Sequence, residues 1–288
     1  MPIPEKYLPK INALRTQIPV YNCHKKNDFH TKFMLETPFI LNSNLESITQ
    51  TVEKNLNQVE ITKKIKTYDS IPWKEIREGS FGDYINYVFN KDSSVAYPEN
   101  FKVIDEKHTE NITQTSFRHY ALSLNEEIFP AIKNIRIPFI EDSNYLLQID
   151  AKFFKKHNIT SPHWLFIHPK HSVSNAHFDH DAVHTAIFQL KGSKRAFLIS
   201  PEHHAYIRNN AFPLLPNGFN DFSSELLNKM SCEDLVLWEG CLGENQILFI
   251  PRNWVHYVVG ETSGISYSQD IVIQNNFSDW MFSIFSNF

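Results

Sequence analysis

Five of the 14 histidines in this 288-residue chain fall in the stretch "HPKHSVSNAHFDHDAVH", residues 168–184, together with Asp179 and Asp181. Imidazoles and carboxylates at this density point to a metal ion, and the stretch holds more donors than one metal takes. His177-Phe-Asp179 has the His-x-carboxylate spacing that a strand turns to one face, because residues i and i+2 share a side. With a second histidine this makes the 2-His-1-carboxylate set of a non-haem iron site, which leaves coordination positions open. The motif is weak alone. Chance gives about 1.6 His-x-acid pairs at this composition, and the other pair present, His108-Thr-Glu110, lies in a polar run with no flanking strand, which reads as solvated surface. A third ligand is expected from a later strand of the same barrel, and "ENQILFIPRNWVHYVVG" offers His256, 77 residues beyond Asp179. A lone strand histidine is more often a core residue bonded to backbone; order, strand context and spacing favour it here as the distal ligand.

A competing constellation lies in "HDAVH", where His180 and His184 stand four apart with Asp181 where a zinc hydrolase of the His-Glu-x-x-His type has its glutamate. That chemistry needs a helix to bring both histidines to one face, and the strand-like flanks "HFD" and "TAIFQLK" oppose it. His168 and His171 flank Pro169 in a predicted turn and are expected to be solvated or at the rim of a pocket.

The elements that must hold these residues follow from pattern. From about residue 160 short apolar runs alternate with turns: "HWLFIH", "TAIFQLK", "KRAFLIS", "DLVLWEG", "QILFIP", "HYVVG" and "GISYSQDIVI". Many short strands rich in Ile, Val, Phe and Tyr predict a mainly β fold of the sandwich or jelly-roll kind. "TAIFQLKGSKRAFLIS" predicts a tight hairpin about Gly192-Ser193, with Lys194 opposite Lys191. Upstream, the strand-like "PFIL" precedes a helix "LESITQTVEKN" capped by Asn44, and Ser80 with Asp83 forms a capping box for "SFGDYINYVFN". The last segment sets Phe277, Trp280, Met281, Ile284, Phe285 and Phe288 on one stripe that must pack on the domain or on a second subunit.

Composition narrows the function classes. A formal charge of -4 and a pI near 6.4 give no polyanion-binding footprint, so nucleic acid is disfavoured as a partner. Cys23, Cys232 and Cys241 are too few and too scattered for a disulfide framework or a zinc-cysteine cluster, and a reducing cytoplasm fits them. The start, "MPIPEKYLPKINALRTQIPVYN", mixes charges and prolines where a signal peptide would be apolar, and no run of about 18 apolar residues predicts a membrane span.

"SNAHFD", "FQLKGSKRAFLISP" and "ILFIPRNWVHYV" together resemble, in order and spacing, the core motifs of JmjC-type (cupin-like) iron(II)- and 2-oxoglutarate-dependent oxygenases. The branch resembled contains the asparaginyl hydroxylase of hypoxia-inducible factor and the tRNA wybutosine hydroxylase. The resemblance covers roughly residues 115–275. It implies a double-stranded β-helix core, an extension over residues 1–114 and a carboxy-terminal helix over 276–288, with a homodimer paired through that helix. It further implies His177, Asp179 and His256 as iron ligands and catalytic centre, and Lys194, Ser174 and Tyr120 as the cradle for the far carboxylate of 2-oxoglutarate, with oxygen as the second cosubstrate. A lysine pointed into a barrel needs an anion, since an unpaired buried ammonium is costly or loses its proton. Thr185, His184, Asp270, Arg252 and Trp254 are expected near the substrate by their proximity in sequence to the triad.

Three departures stand out: two extra residues between Asp179 and the predicted hairpin, Asp270 where the asparaginyl hydroxylase has an asparagine, and "LGENQ" in place of the usual Gly-Asp turn. The expected function is hydroxylation of an amino-acid side chain in a protein or peptide, with a free amino acid or small metabolite, or a tRNA base, as alternatives. Demethylation uses the same core. The rival from another class is a cupin-like metal-binding regulatory protein without turnover.

Overall fold

A computed structural model describes residues 14–22, 33, 36–69, 74–90, 101–103, 122–123, 135, 143–149, 151–156, 162–179, 181–203 and 236–286. His108, Glu110, Tyr120, His180 and Phe288 lie outside them, as does the expected boundary at 114/115.

The described chain is mainly β, with two large sheets. Each apolar run read from the sequence forms a strand: β8 (His163–His168), β10 (His184–Lys191), β11 (Lys194–Ile199), β12 (Val236–Leu242), β13 (Gln246–Ile250), β14 (Val255–Gly260) and β15 (Gly264–Ile271). With them stand β1 (Leu14–Gln17), β2 (Val20–Asn22), β3 (Phe39–Asn42), β7 (Leu122–Ser123) and β9 (Val173–His177). One sheet runs β1-β12-β11-β14-β9 and the other β2-β3-β13-β10-β15-β8-β7, largely antiparallel. β1, β2 and β3, expected in an amino-terminal extension, thus add to both sheets. A small third sheet joins β4 (Lys64–Asp69), β5 (Lys74–Ser80) and β6 (Lys102–Val103).

Strand alternation assigns two faces to the seven-stranded sheet. Ala186, Phe188 and Leu190 of β10, with Leu165, Ile167, Phe249 and Tyr267, pack under α1 (Glu46–Leu56) and α2 (Phe81–Asn90). The alternate residues meet the five-stranded sheet, where Ile40, Leu248 and Ile250 cluster with Ala196, Leu198 and Val258. The site described below lies on this inner face.

The helix expected to be capped by Asn44 starts at Glu46 with Leu45 as its N-cap, which makes no side-chain bond, so Asn44 stands one residue before the cap, while the Ser80 start is present. Asn44 Oδ1 accepts the Glu46 amide at 3.0 Å. Ser80 Oγ accepts the Asp83 amide at 3.1 Å and donates to the Asp83 carboxylate at 2.8 Å. Ser80→Ala is expected to cost about 1 kcal/mol, the usual value of an N-cap, read from urea denaturation.

The Gly192-Ser193 hairpin is not formed. β10 pairs with β13 and β15, while β11 pairs with β12 and β14, so the two strands belong to different sheets and Lys194 does not face Lys191. Instead of closing on itself, the link is tied to its neighbours: the Gly192 amide donates to Glu244 at 2.7 Å and the Ser193 amide to Thr262 at 2.8 Å. Gly192 has φ +74°, and a Cβ there would lie 2.3 Å from the Ser263 carbonyl oxygen. Glycine is therefore required by a crossing between sheets.

The carboxy-terminal helix, α4 (Phe277–Ser286), follows α3 (Ala151–Lys156) and packs on the domain. Trp280 and Ile284 are buried with Leu146, Phe154, Val183 and Val272, while Phe282 stays 74% exposed. No helix among the described residues is long and apolar enough to cross a membrane.

Candidate metal and anion site

His177 and His256 are direct partners across the β9–β14 ladder, which sets their rings 4.2 Å apart between centroids. Asp179 lies two residues past the end of β9, so one strand does not present both ligands as expected. Its Oδ1 comes to 3.7 Å from His177 Nε2 and 3.9 Å from His256 Nε2. One donor atom from each of the three lies within 4.8 Å of the others, a group that can hold a metal ion.

The surroundings prepare these donors. The Trp254 carbonyl lies 3.1 Å from His256 Nδ1. A carbonyl only accepts, so Nδ1 carries the hydrogen and Nε2 turns its lone pair to the site. Asp179 Oδ2 accepts from Thr185 Oγ1 at 2.5 Å, which leaves Oδ1 facing the imidazoles. Removing that hydroxyl in Thr185→Val is expected to weaken metal binding about 10-fold, in the range for partners that orient ligands, read by competition with a chelator.

Asp270 stands opposite Thr185 in the β10–β15 ladder, and the Trp164 and Thr185 side chains hydrogen-bond to it. Burial, and then the Asp179 charge, hold its carboxyl well above the usual range. Its residue keeps some exposed area, but the carboxyl itself is enclosed among protein atoms. Thr185 has one hydroxyl hydrogen, which it gives to Asp179; a protonated Asp270 can donate to the same oxygen.

Lys194 faces inward, 8% exposed. Its Nζ donates to Ser266 Oγ at 2.6 Å and lies 5.5 Å from the centre of the Phe166 ring. Among the described residues no carboxylate pairs with it, and burial lowers its pKa to about 7. Lys194 stands four residues before Leu198, the cross-strand partner of His256. At ~3.3 Å per residue that is about 13 Å along β11.

Ser174 pairs with Val258 while His177 pairs with His256. Three residues on β9 thus match two on β14, and this irregularity turns Ser174 and His177 to one face, where a regular strand would set them on opposite faces. The bulge is not legible in the sequence.

Of the other expected substrate residues, the side chains of His184 and Arg252 are directed elsewhere. His184 points to the opposite face of β10 from Thr185, wholly buried against Phe33 and Phe249. Its Nδ1 accepts the Arg252 amide at 3.0 Å, and burial lowers its pKa to about 4. The Arg252 side chain pairs with Asp279 of α4 and with Glu36. Trp254 is buried between the sheets, edge-on to Trp238. His184 thus faces away from the triad and the Arg252 side chain is engaged by Asp279 and Glu36, while Trp254 lies on the inner face with the triad.

In the "HDAVH" segment, Asp181 and Ala182 take φ of 66° and 50°, and His184 begins a strand. The helix that zinc hydrolysis would need is absent from these residues. Asp181 accepts from Ser283, and the Ala182 carbonyl from Asn276, which fastens the segment to the start and body of the carboxy-terminal helix. His168, expected at a rim, is 1% exposed near Lys194, and its Nε2 has no partner. His171 adopts φ 63° and its amide donates to the Gly260 carbonyl at 2.8 Å.

No protein-family model matches the chain, and no curated protein matches it.

Proposed function

We propose that the protein is an iron(II)- and 2-oxoglutarate-dependent oxygenase that hydroxylates a C–H bond, with a double-stranded β-helix core. The observation that carries this reading is the pairing of two features on one inner face. One is a His177, Asp179, His256 group fit for a metal; the other is a buried Lys194 with no carboxylate partner among the described residues. A metal site alone suits many functions, but a metal with a lysine placed for a carboxylate suits a keto acid held at both ends.

The donor set of two nitrogens and one oxygen suits iron(II), and its open positions suit an oxygen-dependent reaction. Iron(II) with 2-oxoglutarate and oxygen supplies oxidative decarboxylation of the cosubstrate to succinate, coupled to oxygen insertion. The chain's own residues position and enclose. His256 is fixed by the Trp254 carbonyl and Asp179 by Thr185. Lys194 and Ser266 take the far carboxylate, with Ser174 on the same face. Ile187, Leu248, Ile250 and Val258 keep the interior dry, which strengthens every polar contact there. We assign Asp270, opposite Thr185 on β15, to a substrate amide or amine that reaches the exposed part of the residue. We propose an amino-acid side chain in a protein or peptide as substrate.

The test is incubation with iron(II), 2-oxoglutarate and cell extract, followed by mass analysis of peptides, RNA and metabolites. A gain of one oxygen in a peptide, absent without 2-oxoglutarate, is the expected result. Metal binding with no affinity for 2-oxoglutarate would instead support a regulatory metal-binding protein.

A further inference from the structure

The end of the inner face remote from the triad holds a side chain to which the proposed function gives no role. His168 ends β8 almost wholly enclosed, its Nε2 without a hydrogen-bond partner. An enclosed polar atom with no partner is destabilising, so its presence needs a reason.

Two glycines make room for the ring. A Cβ on Gly264 would lie 3.0 Å from His168 Nε2, and one on Gly260 would lie 2.9 Å from Nδ1. Gly260 pairs with Lys194 across β11–β14, and Gly264 pairs with His168 across β8–β15. Register therefore brings the imidazole and the ammonium to one end of the interior, and alternation on β8 and β15 sets His168, Phe166 and Ser266 on one face. The Lys194 charge acts on His168, and no carboxylate among the described residues pairs with either. Gln189, fully buried opposite Ser266, turns its own Oε1 to a place with no donor. A lysine, a hydroxyl and a partnerless imidazole nitrogen, enclosed together without an acid, form a cradle for an anion.

We propose that His168 is a third anchor, with Lys194 and Ser266, for a carboxylate bound at this end: its Nδ1 makes only a long 3.4 Å contact with the Pro169 carbonyl, which a bound anion outcompetes by selecting the tautomer that carries the hydrogen on Nε2 and donates from there. The proposal rests on the oxygenase reading only in taking that carboxylate as one end of a five-carbon dicarboxylate. A hydrogen bond to an anion is stronger than one between neutral groups, and losing it should weaken binding about 10-fold.

The experiment titrates the full-length metal-free protein with glutarate by calorimetry. Glutarate lacks the 2-oxo group, so its binding reports the closed end without the metal. Wild type is expected to bind; His168→Leu is expected to bind about 10-fold more weakly, and His168→Gln, which keeps an N–H donor, within a few-fold of wild type. His168→Leu should melt no lower than wild type, because it removes an unpaired polar atom; a purely structural histidine would lower the melting temperature and leave affinity unchanged. Equal affinity in His168→Leu, or no glutarate binding by wild type, overturns the proposal. A protein whose glutarate binding depends on His168 but that forms no succinate from 2-oxoglutarate would sink the oxygenase reading and support this one.

Discussion

Asp179→Ala is expected to lower affinity for a divalent metal at least about 100-fold (~3 kcal/mol), the share of one ligand in a site worth 10 or more. The carboxylate is the anionic member of the group, and its Oδ1 is the atom both imidazoles approach, at 3.7 and 3.9 Å. Without metal the same substitution should be neutral or stabilising, because the Asp179 charge is one of the causes that hold the Asp270 carboxyl above its usual range. Thermal melts with and without metal separate the two effects. Wild type should gain melting temperature from metal by linkage, and the variant should not. An Asp179→Ala protein still stabilised by metal to the wild-type extent would remove Asp179 from the site.

Lys194→Met is expected to weaken dicarboxylate binding on the order of 100-fold while leaving the free protein as stable as wild type or more so. The side chains are similar in length, and methionine removes a buried cation whose desolvation no carboxylate offsets. The pH dependence of stability follows. Burial lowers the folded-state pKa of Lys194 to about 7, below its ordinary value of 10.5. Between these values the unfolded chain binds the proton and the folded chain does not, so stability rises with pH across that window. Below about pH 7 the folded protein carries the buried charge and its full penalty. Urea denaturation of the metal-free protein at pH 7 and pH 9.5 should show this gain in wild type, and Lys194→Met should lack it.

The inner strands were readable because each is an apolar run closed by a turn: "HWLFIH" and "QILFIP" correspond to β8 and β13 almost residue for residue. Their partners were not. The Gly192-Ser193 link has the composition of a hairpin, but pairing is set by sheets whose members lie far apart in sequence, and β10 finds β13 and β15. β9, "VSNAH", is too polar to show as a strand, and its bulge is invisible without β14. The β4–β5 pair is hard to read because charged residues such as Lys66 and Glu78 face each other on it.

At the site, the group that can hold a metal ion was legible from His-x-Asp and a histidine between apolar strands. Its supports were not, because Thr185, Trp254 and Ser266 act through contacts across the sheets. Proximity in sequence misdirected the choice of His184 and Arg252. His184 directly precedes Thr185, yet alternation sends it to the opposite face, and Arg252 turns to Asp279 of the carboxy-terminal helix. His168 reads as a solvated or pocket-rim residue because it stands beside Pro169, and only the glycines at 260 and 264 reveal that its ring is enclosed.

The role proposed for His177, Asp179 and His256 is to hold iron(II) for oxidation of 2-oxoglutarate. Its most direct test is succinate formation by purified protein with iron(II), 2-oxoglutarate, oxygen and the extract fraction that stimulates turnover. Wild type should form succinate, and a His177→Ala, Asp179→Ala double variant that folds normally should form none above the protein-free control. Equal succinate formation by both would remove the triad from the reaction.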